Sequence, residues 1–324
     1  MKDNSSTKVE NGTDATIAAI PCYVPCGLEL NKIYNESNLE TMKRMPDNFV
    51  DLTVTSPPYD NLRDYKGYSF PFEEIAKELY RVTKQGGVVV WVVDDATIKG
   101  SETGTSFKQA LYFIKCGFNL HDTMIYKTNK PPLNDRRYQK DFEYMFVFSK
   151  GKPNTFNPIM VVSEHYGKKV SKNAGMRNTD GTKKERYHTK SVNKLKIKGN
   201  IWYLPRSSRS GDKFSRKHPA TFPEQLANDH IISWSNEGDL VYDPFMGSGT
   251  TAKMAMLNNR NYIGSEISKE YCEIAEQRLK MCGGAFFLPQ MSKRRTSALL
   301  PITVKHCRRW GFNELLPHLC TKDY

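Results

Sequence analysis

Two apolar runs, nearly two hundred residues apart, each end in a turn that neither helix nor central strand can absorb. Val50-Asp51-Leu52-Thr53-Val54 runs into Thr55-Ser56-Pro57-Pro58-Tyr59. Leu240-Val241-Tyr242 runs into Asp243-Pro244-Phe245-Met246-Gly247-Ser248-Gly249-Thr250-Thr251. Consecutive prolines remove backbone donors and lock φ, so the first turn cannot lie inside a sheet. Gly247 and Gly249 permit a tight turn and close approach of a ligand to the backbone. Each run reads as a buried strand, and ligands of open α/β sheets bind just beyond the carboxyl ends of strands. Two such ends facing one crevice would hold two reactants against each other.

The rest of the chain supports an α/β reading. Lys32-Ile33-Tyr34 predicts a short strand and Leu39–Met45 a short helix with Asn38 as N-cap. Helical spacing over Phe72–Thr83 ends at Gly86-Gly87, and Val88–Val93 is the continuous β-branched run of a buried parallel strand. Phe107–Cys116 predicts a helix stopped by Gly117; Leu120–Lys127 and Phe142–Ser149 predict strands at the sheet margin. Between Gly151 and Ser215 periodicity fades. It resumes with a helix over Glu224–Trp234, a strand over 240–242, a helix over Ser248–Leu257, a strand over Tyr262–Glu266 and a helix over Glu270–Lys280. Alternating strands and helices imply a parallel sheet covered on both faces.

Composition narrows the partners. No run of eighteen apolar residues exists, so no membrane partner is expected. Residues 1–28 read as a polar, disordered leader with no apolar core of a signal peptide. The seven cysteines are irregularly spaced and form no CxxC, which argues against a disulfide framework or a metal site and fits a reducing cytoplasm. Of the net charge of +13, residues 164–217 hold a surplus of 12, with 16 Lys/Arg against 4 Asp/Glu. A charge run alone is more often a solvated loop. Here it is interleaved with Tyr166, Tyr187, His188, Trp202 and Tyr203, a mixture suited to phosphate contact and base stacking.

The motifs limit the chemistry. The glycine turn has no Lys for a P-loop and only GxG, not GxGxxG, for a dinucleotide. A nucleoside-type or amino-acid-type ligand remains, with Glu266 at the end of the next strand placed to accept ribose hydroxyls. In the proline turn, the Ser56 hydroxyl and the exposed Pro57 carbonyl can accept hydrogen bonds from an exocyclic amine. Tyr59 offers a face to a base flipped out of its stack.

Together, in this order, these motifs resemble the S-adenosylmethionine-dependent DNA amino-methyltransferases of the circularly permuted β group. The resemblance spans roughly residues 30–280 and implies a Rossmann-like, seven-stranded mixed sheet with an inserted basic target-recognition region. It implies catalytic roles for Ser56, Pro57, Pro58 and Tyr59. It implies cofactor contacts for Thr55, Asp243, Pro244, Phe245, Gly247, Ser248, Gly249, Thr250 and Glu266, and for His218 and Pro219 within His218-Pro219-Ala220-Thr221-Phe222-Pro223, followed by Leu226. Gly199-Asn200-Ile201-Trp202 resembles the segment before that motif. Where many relatives carry an Asp near the cofactor adenine, this chain has Asn35-Glu36-Ser37-Asn38, and Ser37 or Asn38 is the substitute. The implied division is a catalytic half (29–150), a target-recognition region (151–217), a cofactor half (218–282) and a basic extension (283–324).

The implied reaction moves a methyl group from S-adenosylmethionine to an exocyclic amine of double-stranded DNA, with no metal. Ser-Pro-Pro-Tyr is more typical of cytosine-N4 enzymes and Asp-Pro-Pro-Tyr of adenine-N6 enzymes, so cytosine N4 is preferred and adenine N6 is the alternative. No Pro-Cys pair lies beyond the leader, which argues against cytosine-C5 chemistry. An RNA or protein methyltransferase and a non-catalytic nucleic-acid-binding protein are the rival classes. A homodimer and a cognate restriction endonuclease are compatible partners.

Overall fold

A computed structural model of the chain describes residues 27–58, 70–128, 137–169, 171–173, 175–188, 191–204 and 223–283. Strand β1 (Lys32–Tyr34) leads into helix α1 (Asn38–Arg44), and β2 (Val50–Thr55) precedes α2 (Phe72–Val82). β3 (Thr83–Val93) follows α2 without a loop. The small hairpin β4 (Thr97–Ile98) and β5 (Ser101–Glu102) comes next, then α3 (Thr105–Cys116), β6 (Asn119–Lys127) and β7 (Phe142–Ser149). Four short strands, β8 (Met160–Val162), β9 (Ser171–Lys172), β10 (Tyr187–His188) and β11 (Leu195–Ile197), lie in the basic stretch before β12 (Ile201–Tyr203). α4 (Glu224–Trp234), β13 (Leu240–Asp243), α5 (Thr250–Leu257), β14 (Asn261–Ser265) and α6 (Lys269–Gly283) follow.

The main sheet has the order β1-β14-β13-β2-β3-β7-β6-β12. All pairings are parallel except the two made by β7, which runs against both β3 and β6. β3 shows why its sequence is apolar at every step. Val88, Val90 and Val92 face one hydrophobic layer with residues of α4, α5 and α6; Val89, Trp91 and Val93 face the other, with α1, α2 and α3. Helices of the N-terminal half thus cover one face and those of the C-terminal half the other. Trp91 is fully buried between α2 and α3, with its indole N–H donating to Gln109 Oε1 at 2.8 Å. Truncating it to alanine would cost about 3–5 kcal/mol.

Several boundaries depart from the sequence expectations. The sheet has eight strands rather than seven. The extra one, β12, is three residues long, too short to show a period within a basic stretch, yet Trp202 is buried and stacks on His230 with centroids 4.6 Å apart. The N-cap of α1 is Ser37, whose hydroxyl accepts from Leu39 N–H at 3.3 Å, not Asn38, which is the first helical residue. α2 ends at Val82, before the glycines, because Thr83 turns extended and its hydroxyl caps Leu79 O at 2.6 Å. Gly87 lies inside β3. A Cβ there would meet the Asp51 carbonyl at 2.9 Å, so the glycine lets β2 and β3 approach rather than breaking a helix.

The stretch without periodicity forms two antiparallel ladders, β8 with β11 and β9 with β10, one nested inside the other. On the β8–β11 ribbon, Val162 faces Leu195 and Met160 faces Ile197, all four at least 45% exposed. Its root is tied low on the sheet. Lys198 N–H bonds Ile159 O, and Asn157 bonds Ser233 O beside the end of α4. No helix among the described residues is long and apolar enough to cross a membrane. The described residues belong to one compact unit, Met1–Ala285; a second unit, Phe286–Tyr324, lies outside them.

Candidate active site

The register of β2 and β13 brings the two turns together. Val241 pairs with Leu52 and Tyr242 with Thr53, so both strands finish at the same level, side by side. The chain leaves them in opposite senses, β13 toward β14 and β2 toward β3, which makes their carboxyl ends the switch point of the sheet. Two side-chain bonds fasten this junction. Thr55 Oγ1 donates to Asp243 Oδ1 at 2.6 Å, and Thr251 Oγ1 donates to the Val54 carbonyl at 3.1 Å. Thr55, Asp243 and Thr251 are all buried.

Asp243 also accepts from Phe245 N–H at 3.0 Å, which shapes the first step of the glycine turn. Burial pushes its carboxyl up to about 6, against the pull of the hydrogen bonds from Thr55, Thr251 and Phe245. Met246 N–H binds Ser265 O and Gly249 N–H binds Met246 O, both at 2.9 Å, so the turn is built against β14. Gly249 is left-handed (φ +79°), and a Cβ there would meet the Ala275 Cβ of α6 at 2.8 Å. Only glycine fits this contact without a shift of the helix.

Glu266, just past β14, points both oxygens at backbone: Oε2 accepts from Gly247 N–H and Oε1 from Ser268 N–H, each at 2.8 Å. Burial raises its pKa, opposed by these two N–H groups. The consequence is chemical. A carboxylate bound to the turn's own N–H makes this a poor cradle for a phosphate, because the donor is occupied and the charge is repulsive. Each oxygen keeps acceptor capacity for a hydroxyl. The site therefore suits a neutral or cationic ligand with a sugar diol.

Of the other residues singled out, Ser56 and Pro58 are half-buried and Pro57 buried at the end of β2. Pro244, Ser248 and Thr250 are buried in or beside the turn. Phe245 packs edge-on to Phe70 and Trp91 at 5.6 and 6.1 Å. Asn38 reaches the turn itself, its amide donating to the Pro244 carbonyl at 3.2 Å; Ser37 is exposed and serves α1. Tyr59, His218 and Pro219 lie outside the described residues, while Pro223 and Leu226 are buried at the start of α4. Among the described residues, the Thr55–Asp243 and Asn38–Pro244 bonds bring the ends of the two halves together at the switch point of the sheet.

Sequence reasoning missed three features. Arg278 of α6 is buried against Ser248 and Thr250, and Glu224 bridges it to Lys253. Asp94 at the end of β3 pairs with Lys140 at 2.6 Å, one strand from the proline turn. Asp95 caps α3 by accepting from Ser106 N–H at 2.8 Å. None sits in a recognisable motif; the only signal was an Arg on the inward face of a helix. A cavity walled by His121, Phe156, Trp202 and Trp234 opens near Asn200 and Asp122, where the parallel strands begin, and is not part of this crevice.

Comparison with known proteins places the chain in a family. A family model described as DNA methylase, of the N6/N4 type, matches residues 50–277. The orphan methyltransferase M.BamHII of Bacillus amyloliquefaciens is 58% identical over 255 residues, 75% of this chain and 96% of that protein. The DNA adenine methyltransferase YhdJ of Escherichia coli K12 is 28% identical across 91% of this chain and 97% of its own length. Among solved structures, the cytosine-N4-specific PvuII DNA methyltransferase superposes with a TM-score of 0.58 at 20% identity, covering 81% of this chain and 88% of that one.

Proposed function

The chain belongs to the N6/N4 DNA methylase family, and on that premise we propose that it methylates the exocyclic N4 of cytosine in double-stranded DNA. The carrying observation is the Thr55–Asp243 bond, which holds the Ser-Pro-Pro turn beside the glycine turn at the switch point of the sheet. S-adenosylmethionine fits the donor set described above, and when bound it supplies a methyl group on a sulfonium. Glu266 would hold its ribose hydroxyls, and Asp243 and Glu266 give the turn an acidic character that tolerates a cation. Asn38, whose amide donates to the Pro244 carbonyl, is the residue we assign to the adenine edge.

On the other side of the crevice, an exocyclic amine is a poor nucleophile because its lone pair is delocalised into the ring. Hydrogen bonds from its N–H to Ser56 and the Pro57 carbonyl favour the pyramidal nitrogen that attacks in line. S-adenosylmethionine, when bound, would supply the methyl carbon to this nitrogen as its bond to sulfur broke, and the amine proton would leave to solvent. Proximity in a fixed crevice supplies most of the rate, and oriented dipoles stabilise the developing charge.

The ribbon of residues 160–197, with Lys172, Lys183, Lys184, Arg186 and Lys194 among its cations, is the segment we assign to DNA contact. A two-stranded ribbon is of a size the major groove admits. Serine at the first position of the proline turn favours cytosine N4 over adenine N6; the relatives include both kinds. Labelled methyl transfer to genomic DNA followed by nucleoside mass spectrometry tests this. N4-methylcytosine is the expected product, N6-methyladenine would move the assignment to the other base, and no labelled nucleoside would overturn it.

A further inference from the structure

We infer that Arg278 is a positioning residue for the cofactor turn and that Glu224 couples it to the start of α4. This rests on the cofactor binding at the glycine turn, as proposed above. The Arg278 side chain is fully buried. One nitrogen, Nη1, donates to the Ser248 carbonyl, to Ser248 Oγ at 3.1 Å and to Thr250 Oγ1 at 3.2 Å; Nη2 donates to Glu224 Oε1 at 2.7 Å. Lys253 Nζ reaches the same Glu224 oxygen at 2.7 Å.

Two cations here oppose the helix dipole. Thr250 begins α5, so Arg278 and Lys253 sit at the end of that helix which favours anions. A buried charge cluster is also weak support for stability compared with apolar packing of the same volume. What an apolar side chain could not do is grip three acceptors on Ser248 and Thr250 at once. The planar guanidinium spans Ser248 and Thr250 with Nη1 and Glu224 with Nη2 in fixed geometry, which the single nitrogen of lysine on its flexible stem cannot. Glu224 is the first residue of α4, directly after Pro223 and the His218–Pro223 motif. One carboxylate therefore ties the entry of α4 to the guanidinium beneath the turn. The turn and the first residue of α4 are set by one shared ion pair.

The test is calorimetric binding of S-adenosylmethionine together with steady-state kinetics on the full-length protein. Arg278→Lys is expected to raise the cofactor Kd and KM by about tenfold or more, with kcat at saturating cofactor within about threefold of wild type, since uniform binding is lost rather than transition-state contact. Glu224→Gln is expected to shift both in the same direction by a smaller factor, with the two effects non-additive in the double variant. A merely structural role would lower the melting temperature without this split. A folded Arg278→Lys protein that binds within twofold of wild type would overturn the inference. If that variant does not fold, unchanged cofactor affinity in the milder Glu224→Gln overturns it instead. Failure of the wild-type protein to bind S-adenosylmethionine would overturn the site reading on which it rests, and is seen before any variant is made.

Discussion

At the crevice, Arg278 is fully buried with its guanidinium on Ser248, Thr250 and Glu224; on the ribbon, Lys196 approaches Glu164 only at 4.0 Å, with side chains 50% and 83% exposed. Both regions are rich in polar residues, yet they use them differently. In the crevice, carboxylates and hydroxyls bind the protein's own backbone and fix where two turns sit. On the ribbon, apolar residues such as Val162 and Ile197 face solvent and the cations are lightly paired. Exposed ion pairs contribute about 0–1 kcal/mol, so the ribbon gains little stability from its charges. The difference teaches that one region uses its polar groups to fix geometry and the other leaves them exposed to solvent.

The strongest way to break this comparison is at Ser56. If the crevice owes its chemistry to fixed acceptors, Ser56→Ala should slow single-turnover methyl transfer roughly 10²-fold and leave cofactor affinity unchanged. Equal rates in the two proteins would remove Ser56 from the reaction.

A second effect, of comparable size, sharpens the account of Asp243. Its folded pKa is about 6 against an ordinary 3.8, because burial disfavours the anion. A raised carboxyl pKa stabilises the fold fully below 3.8, and that contribution is lost as pH rises through 6, on the order of 3 kcal/mol. Asp243→Asn does not titrate. The stability of wild type relative to the variant should therefore fall between pH 4.5 and pH 7.5, as read by urea unfolding. His230, which burial and Lys198 hold down at about 3, has the opposite sign, with stability lost as pH falls below 6.5. It is common to both proteins and cancels in the difference.

The smallest stability effect belongs to the ribbon. Lys183→Ala with Lys184→Ala should change unfolding free energy by under about 0.5 kcal/mol. The same pair should flatten the log–log salt dependence of DNA binding by about 1.8 if both neutralise phosphates. An unchanged slope would show that DNA does not lie against these residues.

Much of this architecture can be read along the chain. The β-branched run Val88–Val93 demands burial on both faces, and Glu224–Trp234 carries a helical period that the structure reproduces at both ends. The proline and glycine turns announce themselves because their backbone requirements are local. Ser37 and Thr83 show the limit. Each ends or begins a helix through one hydroxyl, and neighbouring residues of similar propensity compete for the role.

By itself, then, the sequence determined the α/β class, the two crevice turns and the acidic residue after β14, because period and turn chemistry are properties of adjacent residues. Only the tertiary structure decided that Thr55 bonds Asp243, that Asn38 bonds Pro244, that Arg278 lies beneath Ser248, and that Trp202 adds an eighth strand. Those partners are 30 to 206 residues apart or belong to a three-residue strand. Their pairing follows from sheet register and from which helix covers which face, and neither is written in any local stretch of the chain.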